Sequence, residues 1–139
     1  MAYPPFGAVL NAPRFQAFCF RSAMLLYVLI LLLGSIPGAR HEIGAFATGA
    51  VLHSLAYAGL TVLLFIGQRT ESATGRAVNA VLITAAMGAG DEFVQSFLPY
   101  RGASVLDWLV DICASLVAAT ALCVVYPRLT RVTAESPTQ

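Results

Sequence analysis

Between Gly88 and Asp111 the chain reads GAGDEFVQSFLPYRGASVLDWLVD. Asp91, Glu92, Asp107 and Asp111, four of the seven acidic residues, stand here with Arg101 between them. Carboxylates in an apolar setting can hold or move protons, and a guanidinium can grip a phosphate or carboxylate bidentately. Asp91 and Glu92 are adjacent, so on a helix they point about 100° apart. Glu92 and Gln95, at i and i+3, share a face. Ser104 and Asp107 have the spacing of a capping box ahead of an apolar run, which accounts for both without any function. Asp111 lies a turn deeper, and Asp107, Asp111 and Ser115 fall at i, i+4 and i+8 on one face. Upstream, Gly49, His53 and Tyr57 make a second stripe at the same spacing.

Two chemistries follow. In the first, Arg101, Gln95, Asp107, Asp111, Ser104 and Tyr57 bind a ligand with an anionic group. In the second, Glu92 or Asp91, assisted by His53, act as general acid and base. Each has a plainer counterpart: Arg101 in an ion pair with Asp107 or Glu92 that fixes the connection, and His53 as a structural histidine bonded to a neighbouring helix. His53 and a carboxylate also suit half of a divalent-ion site, but no HExxH-type or Cys/His ligand spacing is present and no metal is assigned. No cofactor motif occurs: there is no P-loop, no GxSxG and no dinucleotide fingerprint. The lack of a basic patch disfavours nucleic acid as a partner.

The elements that must carry these residues are membrane helices. The 139 residues are 58% hydrophobic and 11% charged, with a mean hydropathy of +0.77; a soluble domain carries about 25% charge. The length suits four spans of about 20 residues, and no separate soluble domain fits. The spans read Ser22 to Ile36, Gly44 to Gly67, Ala77 to Pro99 and Val105 to Tyr126, an all-α bundle of four transmembrane helices over 22–126. Residues 1–21 form an N-terminal segment in which Pro4, Pro5 and Pro13 oppose a long helix before Arg14. The tail from Pro127, residues 127–139, reads as polar and mobile. A signal peptide ending at Ala45-Phe46-Ala47 is disfavoured, because that site would open the second span. The AAMGAG run of the third span is rich in small residues that let membrane helices approach closely. Cys113 and Cys123 lie too far apart on one helix for a disulfide, and all three cysteines read as small packing residues.

Arginine placement sets an expected orientation. Arg14, Arg21, Arg69, Arg76, Arg128 and Arg131 flank one side of the spans and Arg40 and Arg101 the other. This places both termini in the cytoplasm and the Pro99–Ala103 connection outside, in a multi-pass protein of the cytoplasmic membrane. Asp91, Glu92, Gln95, Asp107, Asp111 and His53 then share the outer half of the bilayer.

DEFVQSFLPYRGASVLDW resembles the signature of the VanZ-like family: Asp-Glu-x-x-Gln, a Phe-x-Pro-x-Arg turn, then Ser-x-x-Asp. Here these are Asp91, Glu92, Gln95, Phe97, Pro99, Arg101, Ser104 and Asp107. His53-Ser-Leu-Ala-Tyr57 is similar to the family's His-x-x-Ala-Tyr, and the likeness extends over nearly the whole chain from Ser22. The chain departs from the pattern at Gly49-Ala50, Tyr100, Asp111 and Ala114. The family is named for a teicoplanin-resistance protein. The resemblance therefore implies a cell-envelope role linked to glycopeptide tolerance, with a membrane lipid or lipid-linked envelope molecule as partner. The reaction class stays open between a binding protein and a small intramembrane transferase or hydrolase.

Overall fold

The computed structural model describes residues 6–37 and 49–131. Among them every regular element is a helix: α1 Phe6–Leu10, α2 Pro13–Ser35, α3 Gly49–Gly67, α4 Ala73–Ser96 and α5 Val105–Arg131. The last four are long and apolar enough to cross a membrane, as expected for a multi-pass membrane protein. Their order is up-and-down, and α1 packs against α5, so the chain ends at one pole of the bundle.

The packing is inverted relative to a soluble protein. Leu25, Leu82, Phe93, Leu106 and Val117 are exposed, whereas Gln16, Arg76, Thr84, Asp91, Gln95, Asp111 and Ser115 are buried. A lipid-facing helix needs apolar residues outside and gathers its polar ones where helices can satisfy them. α5 packs along both α3 and α4, while α2 leans mainly on α3. This lateral order, which periodicity does not supply, brings the second, third and fourth spans together around their polar faces. The apolar core, with Leu60, Leu64, Phe65, Ala80 and Tyr126, lies between those faces and the termini pole.

Several helix boundaries differ from expectation. α2 starts at Pro13, nine residues ahead of Ser22, because a proline at the first helical position sacrifices no intrahelical bond. The short α1 precedes it, consistent with prolines that bar a long helix there. At the other end α5 continues through Pro127 to Arg131, five residues beyond the expected end of the span at Tyr126. Tyr126 is anchored by its hydroxyl to Asn11 Oδ1 (2.7 Å), and Thr130 Oγ1 returns to the Tyr126 carbonyl (3.1 Å). α4 starts at Ala73 behind an N-cap Ser72 and ends at Ser96. The start of the second span at Gly44, the Ala45–Ala47 site and Arg40 lie outside the described residues.

Candidate functional site

α4 ends in the polar turn DEFVQS and α5 begins after a short connection, so their carboxylates meet at the pole opposite the termini. Ser104 is the N-cap of α5: its Oγ accepts the Asp107 N–H (3.1 Å), the half of the capping box that the spacing predicts. The reciprocal bond comes from another helix. Glu92 Oε2 accepts the Ser104 N–H, so an α4 carboxylate closes the cap that Asp107 would close in a local box. Glu92 thereby staples α4 to the start of α5.

Asp111, one turn beyond Asp107, is fully buried and its Oδ1 lies 3.0 Å from His53 Nδ1. This ties α3 to α5 and, with a carboxylate at Nδ1, leaves Nε2 as the nitrogen available for proton exchange. Gly88 permits the approach: a Cβ there would stand 3.1 Å from both Asp111 Oδ2 and Trp108 Cδ1. Trp108 Nε1 donates to the Ala85 carbonyl (2.9 Å) on the same helix face. The small-residue run of α4 thus seats α5, as expected. Tyr57, one turn below His53 and parallel to its ring, donates its hydroxyl to Asp91 Oδ2 (3.3 Å).

These bonds leave one oxygen of each acid unused. Asp91 Oδ1, Glu92 Oε1, Gln95 Oε1 and Asp111 Oδ2 are buried and have no hydrogen-bond partner among the described residues. Such atoms are rare in folded proteins and call for a cause. Two of the residues that carry them, Asp91 and Gln95, border a cleft of about 220 Å³ between α2, α3 and α4. Its walls are apolar, with Ile30, Leu33, Leu52 and Ala56, and its polar side consists of His53, Tyr57, Asp91, Gln95 and Arg101.

Of the nine residues singled out by sequence, His53, Tyr57, Asp91, Gln95 and Arg101 therefore line one cleft. Glu92, Ser104, Asp107 and Asp111 stand behind it and build the α4–α5 and α3–α5 joints. The roughly 100° between Asp91 and Glu92 decides this division. Arg101 forms neither expected ion pair: its Nη1 donates to the Gly34 carbonyl at the end of α2, where terminal carbonyls lack intrahelical partners. No group of three His, Cys, Asp or Glu residues among the described ones is placed to hold a metal ion.

Sequence reasoning missed three participants. Gly34 is where α2 approaches the polar cluster. Tyr100, read only as a departure from a motif, donates to the Ser35 carbonyl (2.5 Å) and so fastens the connection to α2. Tyr27 donates to the Met87 carbonyl (3.0 Å). None had a local signal, since a glycine or tyrosine in an apolar run is equally at home against lipid. Comparison of the chain with family models, curated proteins and solved structures finds no match.

Proposed function

We propose that this is a VanZ-like protein of the cytoplasmic membrane whose cleft binds the polar head of an amphipathic cell-envelope molecule. The observation that carries the reading is the buried, unpartnered Oδ1 of Asp91 at the polar side of an apolar-walled cleft. Leaving an acceptor bare in such a place costs about 1–3 kcal/mol, which a hydrogen-bonding ligand recovers. The cleft, at about 220 Å³, is smaller than the roughly 300–1,000 Å³ of a site for a whole drug-sized ligand. It suits a head group, with the rest of the lipid or lipoglycopeptide against the exposed apolar helices. The arginine distribution supports cytoplasmic termini and a cleft in the outer leaflet, and the motif resemblance supports a link to teicoplanin tolerance.

A second reading has its own support. His53, with Nδ1 against buried Asp111 and its ring on the cleft, has the arrangement of a general base held by a carboxylate. In that reading the protein is a small acid–base transferase or hydrolase acting on a lipid-linked envelope substrate, and the proton carrier is His53 with Asp91 rather than Glu92.

The test is native mass spectrometry of the full chain extracted with its own lipids, wild type beside Arg101→Ala and His53→Gln. Retention of a defined lipid by the wild type and its loss in Arg101→Ala supports binding. Accumulation of that lipid in His53→Gln supports turnover. A wild-type protein that retains no defined lipid overturns both readings.

A further inference from the structure

Gly34 marks the point where the cleft's polar atoms converge. A Cβ at Gly34 would stand 3.6 Å from Arg101 Nη1, 3.6 Å from Gln95 Nε2 and 3.7 Å from Asp91 Oδ1. A cation and a carboxylate thus border one small space, yet they form no ion pair; among the described residues the ion-pair contact is His53–Asp111. Opposite charges that face the same space and stay apart suit a ligand carrying both signs itself.

The donor side is the more exacting. Asp91 and Gln95 are each 2% exposed, and Asp91 Oδ1 and Gln95 Oε1 have no partner. Of the two, Asp91 Oδ1 faces the space at Gly34 and only accepts, so the ligand must donate there, whereas Gln95 turns its donor Nε2 to that space. At a carboxylate such as Asp91 a cationic donor is favoured over a neutral hydroxyl. Arg101 spends Nη1 on the Gly34 carbonyl and has further N–H groups with which to take an anion.

We propose that the cleft selects a zwitterionic head, a primary ammonium a short chain away from a phosphate or carboxylate. The ammonium sits at Asp91 Oδ1, and the anion sits at Arg101, beside Gln95 Nε2. This rests on the binding reading above and names its ligand class. An aminoethyl phosphate has this chemistry, whether as a lipid head group or as a free zwitterion. Gly34 acts as a specificity-determining position, because any larger residue there fills the space between the two charges.

The experiment uses the full chain in detergent micelles, with binding read by native mass spectrometry for three lipids of matched acyl chains. Phosphatidylethanolamine offers an ammonium that donates. Phosphatidylcholine offers a cation with no N–H, and phosphatidylglycerol offers hydroxyls on a net anion. Phosphatidylethanolamine is expected to bind about tenfold more tightly than either of the others, a difference of about 1.4 kcal/mol. Asp91→Asn, which keeps the size and removes the charge, abolishes that preference, and Asp91→Ser reports the same loss should Asp91→Asn fail to fold. Gly34→Leu removes binding of all three lipids. Competition by free phosphoethanolamine identifies the free zwitterion as sufficient, whereas no competition assigns the site to the lipid; either supports the head-group class. Equal binding of the three lipids, or a preference that survives both Asp91→Asn and Asp91→Ser, overturns the inference. Arg101-dependent retention of some other lipid would leave the binding reading intact. No lipid on the wild-type chain overturns both.

Discussion

The two poles of this bundle both bury charge, but they treat it differently. At the termini pole Arg76 is 2% exposed. Its Nε donates to the Thr70 carbonyl (2.5 Å), Nη1 to the Phe65 (3.4 Å) and Ile66 (3.3 Å) carbonyls, and Nη2 to Asn11 Oδ1 (3.4 Å). Its Cζ lies 5.0 Å from the centroid of the Tyr126 ring. A cation in the first turn of α4 opposes that helix's own dipole. It reaches back instead to the carbonyl end of α3, where positive charge is favoured. Every polar contact of Arg76 is thus a structural bond, and the residue closes three helices and a loop. At the opposite pole Asp91, Glu92 and Asp111 each spend one oxygen on the fold and hold another in reserve. A buried polar group that is fully satisfied rigidifies a structure, whereas one left half-satisfied in a cleft is available to a ligand.

The contrast can be broken by mutation, and the largest effect belongs to the satisfied pole. Arg76→Met leaves the last carbonyls of α3 without donors and is expected to lower stability by about 3 kcal/mol, read as a fall in thermal unfolding temperature in detergent. Folded Arg76→Met protein should retain its lipid. Loss of lipid with unchanged stability would reverse the roles of the poles.

Gly67→Ala comes next. A Cβ there would stand 2.8 Å from the backbone nitrogen of Phe20, so α2 and α3 must move apart, at about 2 kcal/mol by the usual cost of overpacking. Unfolding in a denaturing detergent series measures it.

Ser104→Ala and Glu92→Gln then separate the joint from the cleft. Removing the α5 cap costs about 1 kcal/mol. Glu92→Gln keeps an oxygen for the Ser104 N–H and weakens a charge-assisted bond, again by about 1 kcal/mol. Both are expected to bind the lipid proposed above as well as the wild-type chain, since neither residue borders the cleft. A folded Glu92→Gln protein with no lipid would show that the cleft extends to the reserve oxygen of Glu92.

The smallest effect is expected at Leu25, which is 72% exposed on α2. Leu25→Ala should change stability by no more than about 0.5 kcal/mol, because in lipid the side chain exchanges one apolar neighbour for another. A drop of several degrees in unfolding temperature would mean that this face is covered by protein.

Much of this was legible in the chain before any coordinates. Low charge and long apolar runs require membrane helices, since the bilayer leaves the backbone no other way to satisfy itself. The i, i+4, i+8 stripes of His53 with Tyr57 and of Asp111 with Ser115 identify inward faces, because polar side chains are too expensive against lipid. Ser104 announces the start of α5, since capping is a local interaction between residues three apart. Even the division between Asp91 and Glu92 is implicit in the turn of a helix.

The partners were not legible, because they depend on which helices are neighbours and at what depth. Arg76 looked like a mark of orientation, and only the approach of α1, α3 and α5 makes it a plug. Glu92 looked catalytic, and the position of α5 makes it a cap. Arg101 looked like a counter-ion, and the end of α2 turns it toward a carbonyl. The sequence by itself determined four spans and two polar faces, through solvation and helical periodicity. Tertiary structure alone decided which polar atoms are consumed by the fold and which remain to meet a ligand, because that choice is made by contacts between residues distant in the chain.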